Sequence, residues 1–74
     1  MLKGNIIGEN IKTIRVQKGL TQEQLTTKLQ VKGLKLDRPT LSKIESRTRE
    51  ILDYEIKTFA DALDISVNEL FDDK

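Results

Sequence analysis

"LTQEQLTTKLQVKGLKLDRPTLSKIES", residues 20–46, is the stretch on which the fold turns. Thr21 and Gln24 have the i, i+3 spacing of a capping box, so a helix starts at Thr21. Leu25 and Leu29, four apart, form its buried edge. Gly33 is the expected stop, with Lys32 in the last turn beside the negative end of the helix dipole. A second start follows almost at once. Asp37 is an N-cap, and Leu36 and Leu41 stand at the N′ and N4 positions of a hydrophobic staple. Pro39 then falls at the second helical position, where a missing N–H removes no bond. Asp37 is left to cap the N–H of Thr40. A residue before proline resists helical dihedrals, which makes Arg38 a candidate boundary. Leu41 and Ile44 face inward; Arg38, Ser42 and Lys43 face outward near the helix start.

Working outward, three more helices are expected. Ile7, Ile11 and Ile14 form a narrow apolar stripe that closes at Gly19. Asp53 is read as the cap of a fourth helix carrying Ile56, Phe59, Ala60 and Leu63 at i, i+3, i+4 and i+7. Ser66 and Glu69 have capping-box spacing, with Ile65 and Leu70 as a staple, for a short fifth helix ending near Phe71. "DDK" is read as a frayed tail. The pattern predicts an all-α fold and a single domain over residues 1–74, with its core at about 6–71.

The chain of 74 residues has no cysteine and no histidine. Disulfides and thiolate zinc sites are therefore excluded, and the commonest general base and metal ligand are missing. No metal and no cofactor are expected. No apolar run approaches the roughly 18 residues of a membrane span, and "MLKGNIIGEN" carries no signal-peptide pattern. The expected location is the cytoplasm. Ser42 and Lys43 are adjacent on a helix and cannot face each other as nucleophile and base. "GNIIGEN" lacks the strand and spacing of a dinucleotide loop. An enzyme is not expected.

Net charge is only +1, but it is unevenly spread. Residues 28–49 hold seven cations against Asp37 and Glu45, a net of +5. Residues 50–74 hold eight acids against Lys57 and Lys74, a net of −6. A basic centre and an acidic tail suit a protein that turns one face to a polyanion, although two solvated surfaces would give the same count.

"IGENIKTIRVQKGLTQEQL", "TLSKIES" and "FADALDISVNELF" together resemble the lambda-repressor-like helix-turn-helix domain of Cro and xenobiotic-response-element (XRE) regulators from bacteria and phages. The resemblance runs from about Ile7 to Phe71. It implies five helices, with helices 2 and 3 as the helix-turn-helix, and a sequence-specific transcriptional regulator. A repressor on a palindromic operator is the expectation. The partner is double-stranded DNA. By position, the resemblance places Arg38, Pro39, Thr40, Ser42 and Lys43 against base edges in the major groove. It places Gln22, Arg47 and Arg49 on phosphates. Arg15 and Glu45 are expected to form a structural salt bridge between helices 1 and 3.

The chain departs from the family pattern in several places. Thr26 replaces a small residue, and Gln30 replaces the glycine of the turn. The connection to helix 3 is about five residues longer, which adds Lys32 and Lys35 as candidate phosphate contacts. A glycine often found after helix 3 is missing from "ESRTRE". Helix 3 therefore either runs past Ser46 or leaves Arg47 left-handed at a cost of about 1–2 kcal/mol. Ile51, Leu52, Tyr54, Val67 and Phe71 are least needed in the core and are candidates for a weak homodimer, or a dimer formed on DNA. The alternative is an interaction module of the same fold, such as an antitoxin holding a partner toxin.

Overall fold

A computed structural model describes residues 6–72 and contains five helices and no strand among them. They are α1 (Ile6–Gln17), α2 (Gln22–Val31), α3 (Arg38–Glu45), α4 (Asp53–Leu63) and α5 (Val67–Phe71). The start of the segment read for a signal peptide, and the end of the expected tail beyond Asp72, lie outside the described residues.

The helices begin where side chains can satisfy their free N–H groups. Thr21 and Gln24 form the full capping box of α2: the Gln24 N–H donates to Thr21 Oγ1 at 3.0 Å, and the Thr21 N–H donates to Gln24 Oε1 at 2.9 Å. Asp37 caps α3 by accepting the Thr40 N–H at 3.0 Å, with Arg38 and Pro39 filling the first two helical positions. The start of α4 differs from expectation. Asp53 is its first helical residue rather than its cap, and the cap position belongs to Leu52. Leucine has no acceptor, so the junction is closed in one direction only: the Leu52 N–H donates to Glu55 at 2.9 Å. At the start of α5, Ser66 and Glu69 are paired as their spacing predicts, the Ser66 N–H donating to Glu69 Oε2 at 3.2 Å.

Four helices end in the same six-residue closure. The N–H groups of Leu20, Leu34, Thr48 and Ile65 return to the carbonyls of Arg15, Leu29, Lys43 and Ala60 at 2.9–3.0 Å. The residue before each donor has positive φ: Gly19, Gly33, Arg47 at 70° and Asp64 at 60°. Of the two outcomes open for "ESRTRE", α3 therefore ends at Glu45 and Arg47 turns left-handed. That backbone turn sends the chain away from α3 towards α4.

The core is a continuous cluster from all five helices: Ile7, Ile11, Ile14, Leu25, Leu29, Leu41, Ile44, Phe59, Leu63 and Leu70, with Ala60 and Ala62. Leu34, from the long connection between α2 and α3, joins it. Leu36 packs half-buried against the same cluster. The lengthened turn is thus pinned by apolar residues at two points. Where α1 crosses the end of α3 the backbones come close. Gly8 is buried, and a Cβ built on it would overlap the carbonyl oxygen of Ile44.

Candidate nucleic-acid interface

Because α3 is short, its two faces separate cleanly. Leu41 and Ile44 are at most 1% exposed and fix the inward face. Arg38, Pro39, Ser42 and Lys43 are all exposed on the outward face, and Thr40 is half-buried at the edge. Asp37 shares this end, but it is committed to the cap. Hydrogen bonds from Thr40, side chain first and then backbone, hold its carboxyl below its ordinary value. An acid would repel phosphates; here its charge is tied to the helix start, leaving Arg38 and Lys43 as the cations of the face.

Beneath this face lies a buried ion pair. Arg15 Nε donates to Glu45 Oε2 at 2.7 Å, and Nη2 to Oε1 at 3.2 Å. The third arm, Nη1, donates to the Leu20 carbonyl at 2.7 Å, so one guanidinium joins α1, the turn before α2 and the end of α3. Both side chains are nearly buried, at 11% and 3% exposure. Gln22, expected at a phosphate, joins this network: its amide donates to Glu45 Oε1 at 3.0 Å and accepts from Arg38 Nε at 3.4 Å.

The remaining candidates lie in different local surroundings. Lys35 lines a hollow with Thr26, Gln30, Leu36, Asp37 and Thr40, beside the start of α3. Lys32 lines a different groove, with Val31, Asp61, Ala62 and Asp64 between α2 and α4. Arg47 follows α3 and pairs with Glu9 at 3.4 Å, an exposed contact. Arg49, expected at a phosphate, is bound to a buried carboxylate: its two Nη groups donate to the two oxygens of Glu55 at 3.1 Å each, and one also donates to the Glu50 carbonyl. Glu55 is 1% exposed. These bonds raise the pKa of the Arg49 guanidinium above its ordinary value.

Three positions that matter do not stand out in the sequence. Glu55 sits at N3 of α4, a capping spacing hidden because its partner at the cap is a leucine. Gly8 appears in the sequence within "GNIIGEN", where nothing marks its close approach to α3. Asn10, 8% exposed, donates to the carbonyls of Leu70 and Asp72 at 2.7 Å each, tying α1 to the end of α5. Its signal is available: Asn10 lies three residues after Ile7 and four before Ile14, on the buried stripe, where an amide needs partners.

An amphipathic α3 bearing cations, packed on α2 and preceded by a capped turn, is the geometry of one helix-turn-helix unit. The helix-turn-helix family model matches residues 11–70. The chain belongs to the helix-turn-helix family. Its affinity is to the lambda-repressor and XRE type, a DNA-binding and not an enzyme family. The match includes α2, the lengthened connection and α3, so the extra residues are accommodated within this helix-turn-helix fold. Comparisons with curated proteins and with solved structures gave no match. No helix among the described residues is long and apolar enough to cross a membrane.

Proposed function

We propose that this helix-turn-helix protein is a sequence-specific transcriptional repressor that binds a palindromic operator with two copies, each laying α3 in the major groove. The observation that carries the reading is the outward face of α3, with Arg38 and Lys43 flanking Pro39 and Ser42, all exposed. Arg38 offers a bidentate fork to guanine, Lys43 reaches guanine or phosphate, Ser42 reaches a base edge, and Pro39 contributes apolar contact. Thr40, at the margin beside Lys35, serves a phosphate or a thymine methyl. Gln22, Lys35 and Arg47 frame the helix as phosphate contacts. Lys32, in its groove beside α4, is left out of this surface, and Arg49 acts through the fold by holding Glu55. The second copy is expected to meet the first through Leu52, Tyr54, Phe71 and Val67, whose exposure supports this role, with Ile51 half-buried against the core beside them in sequence.

Selection of bound sequences from a random DNA pool tests the reading. The expected product is a two-fold symmetric site with half-sites about one helical turn apart, bound less tightly as salt rises. No enrichment, together with co-purification of a tightly held protein partner, would support the interaction-module alternative instead.

A further inference from the structure

We propose that the groove between α2 and α4 is a second contact between copies of this chain, one that joins pairs bound at neighbouring operators. Its role on DNA rests on the operator reading above; the contact itself does not. The α2 side of the groove is basic, with Lys28 in the last turn and Lys32 at the cap. The α4 side is acidic, with Asp61 and Asp64 at the helix end. Val31, 82% exposed, and Ala62 lie with them. The groove continues past Ala62 into a second hollow lined by Lys18. Lys28, Lys32, Asp61 and Asp64 are all exposed, and none forms an ion pair with another described residue. Opposite charges thus line one groove without meeting.

Such a groove is complementary to itself. Under a two-fold axis, residue i of one copy meets j of the other, and j meets i. A surface of one sign would repel its own copy. Here half a turn brings the lysines of each copy to the aspartates of the other, and the two exposed valines towards the axis. The acids also stand against local preference. A helix ends at the negative pole of its dipole, where acids are unfavourable. Yet α4 has Asp61 and Asp64 there and no base in its last turn. Asp64 takes the left-handed conformation, φ 60°, that glycine fills at Gly19 and Gly33. Residues that break local rules in this way serve something outside their own element. Leu52 and Tyr54, assigned to the first contact, stand at the start of α4; Asp61 and Asp64 lie roughly 15 Å along the axis. A copy paired through one end of α4 keeps the other end open, and two different two-fold contacts extend a pair into a row. The patch is a handful of side chains, far below the roughly 20–30 residues a side of a standard interface. It is therefore too weak to assemble the free protein, and it acts when DNA holds copies side by side at high effective concentration.

The test uses the full chain, which has no cysteine of its own. Val31→Cys places a single thiol in the groove, and a short bismaleimide joins two copies whose grooves meet. In that background, Lys28→Glu with Lys32→Glu makes the groove acidic. Asp61→Lys with Asp64→Asn makes it basic, asparagine tolerating the left-handed turn. At high protein concentration without DNA, each reversed form should crosslink to itself roughly tenfold more slowly than the Val31→Cys parent, because like charges then face each other. Mixing the two reversed forms should restore the rate. Val16→Cys, an exposed thiol on α1, controls for net charge and should show no such pattern. On DNA, two copies of the operator recovered from the random pool, set whole helical turns apart, should fill cooperatively with the native chain and independently with either pair of charge reversals. Equal crosslinking in all forms, the same pattern at Val16→Cys, or independent filling by the native chain at every spacing overturns the proposal. So does an unlike protein that co-purifies, blocks the crosslink and is released by the same reversals. If crosslinking follows the charges but no operator is recovered, the contact between copies stands and the DNA reading fails. A thermal melt of each variant excludes unfolding, and Asp61→Lys alone replaces the basic form should the double change fail to fold.

Discussion

Arg49 and Arg15 show how the same residue type serves the fold when a buried carboxylate is within reach. Glu55 is 1% exposed and receives the Arg49 fork and the Leu52 N–H. Removing the arginine would leave that charge with a single backbone partner. Arg49→Ala is expected to destabilise by about 2–3 kcal/mol, less than for a fully buried pair because the arginine is a third exposed. Urea denaturation measures it, and an unchanged midpoint would show that the pair supports nothing. For Arg15 the burial is deeper. Arg15→Met should cost about 3–5 kcal/mol by stranding Glu45. The double variant Arg15→Met, Glu45→Leu should recover much of this, since apolar replacements of a buried pair are often neutral. Additive losses in the same melts would show that the two residues do not act as a unit.

At the scale of elements, α1 and α3 are held at a distance only glycine permits. In an isolated helix Gly8→Ala would gain about 1 kcal/mol of propensity. Here the new methyl would run into the Ile44 carbonyl, which is backbone and moves only if α3 moves. The expected outcome is a net loss of about 1–3 kcal/mol, read as a lower melting temperature; a stabilised variant would mean that the helices do not cross so closely. The start of α3 carries its own pH dependence. Asp37 is held below its ordinary pKa by Thr40, so the cap it makes is complete above the ordinary carboxylate range. Its contribution disappears as pH falls through that range to the lowered folded value. Asp37→Asn keeps a good N-cap that does not titrate. The stability difference between parent and variant should therefore stay constant at neutral pH and move in favour of the asparagine variant as acid is added. A difference independent of pH would remove Asp37 from the acid response.

For the whole molecule, charge and apolar exposure argue for assembly on DNA rather than before it. Leu52, Tyr54 and Phe71 are 46%, 64% and 52% exposed, offering apolar contact. Glu69 and Asp72 lie close to Phe71 in the chain, and in a symmetric pair like charges are brought towards their own copies. The protein is expected to be mainly monomeric at micromolar concentration and to pair on its operator, with the two recognition helices about 34 Å apart. Sedimentation with and without operator decides this. A tight dimer in free solution, or one copy saturating a full palindrome, would refute it.

Much of the fold is determined locally. The five helices, the stop at Gly33 and the Asp37 cap on Thr40 follow from side chains acting within a turn of their own backbone, and such rules are visible in sequence. So is the outward face of α3, because Leu41 and Ile44 settle the inward one. Local rules place the cap of α4 one residue late because Asp53 has the chemistry of a cap, whereas the tertiary structure supplies Glu55, bound to Arg49, to close the junction. Sequence spacing alone leaves Lys32 and Lys35 equivalent; the fold of the connection, with Leu34 drawn into the core, sends them to different grooves. The left-handed turn at Arg47 is one of two local possibilities, and the observed closure of Thr48 on Lys43 selects it. Gly8, Asn10 and the contacts of Gln22 depend on partners 36, 60 and 23 residues away in the chain. Contacts at such separations are set by how the helices pack, so their meaning exists only once the core has formed.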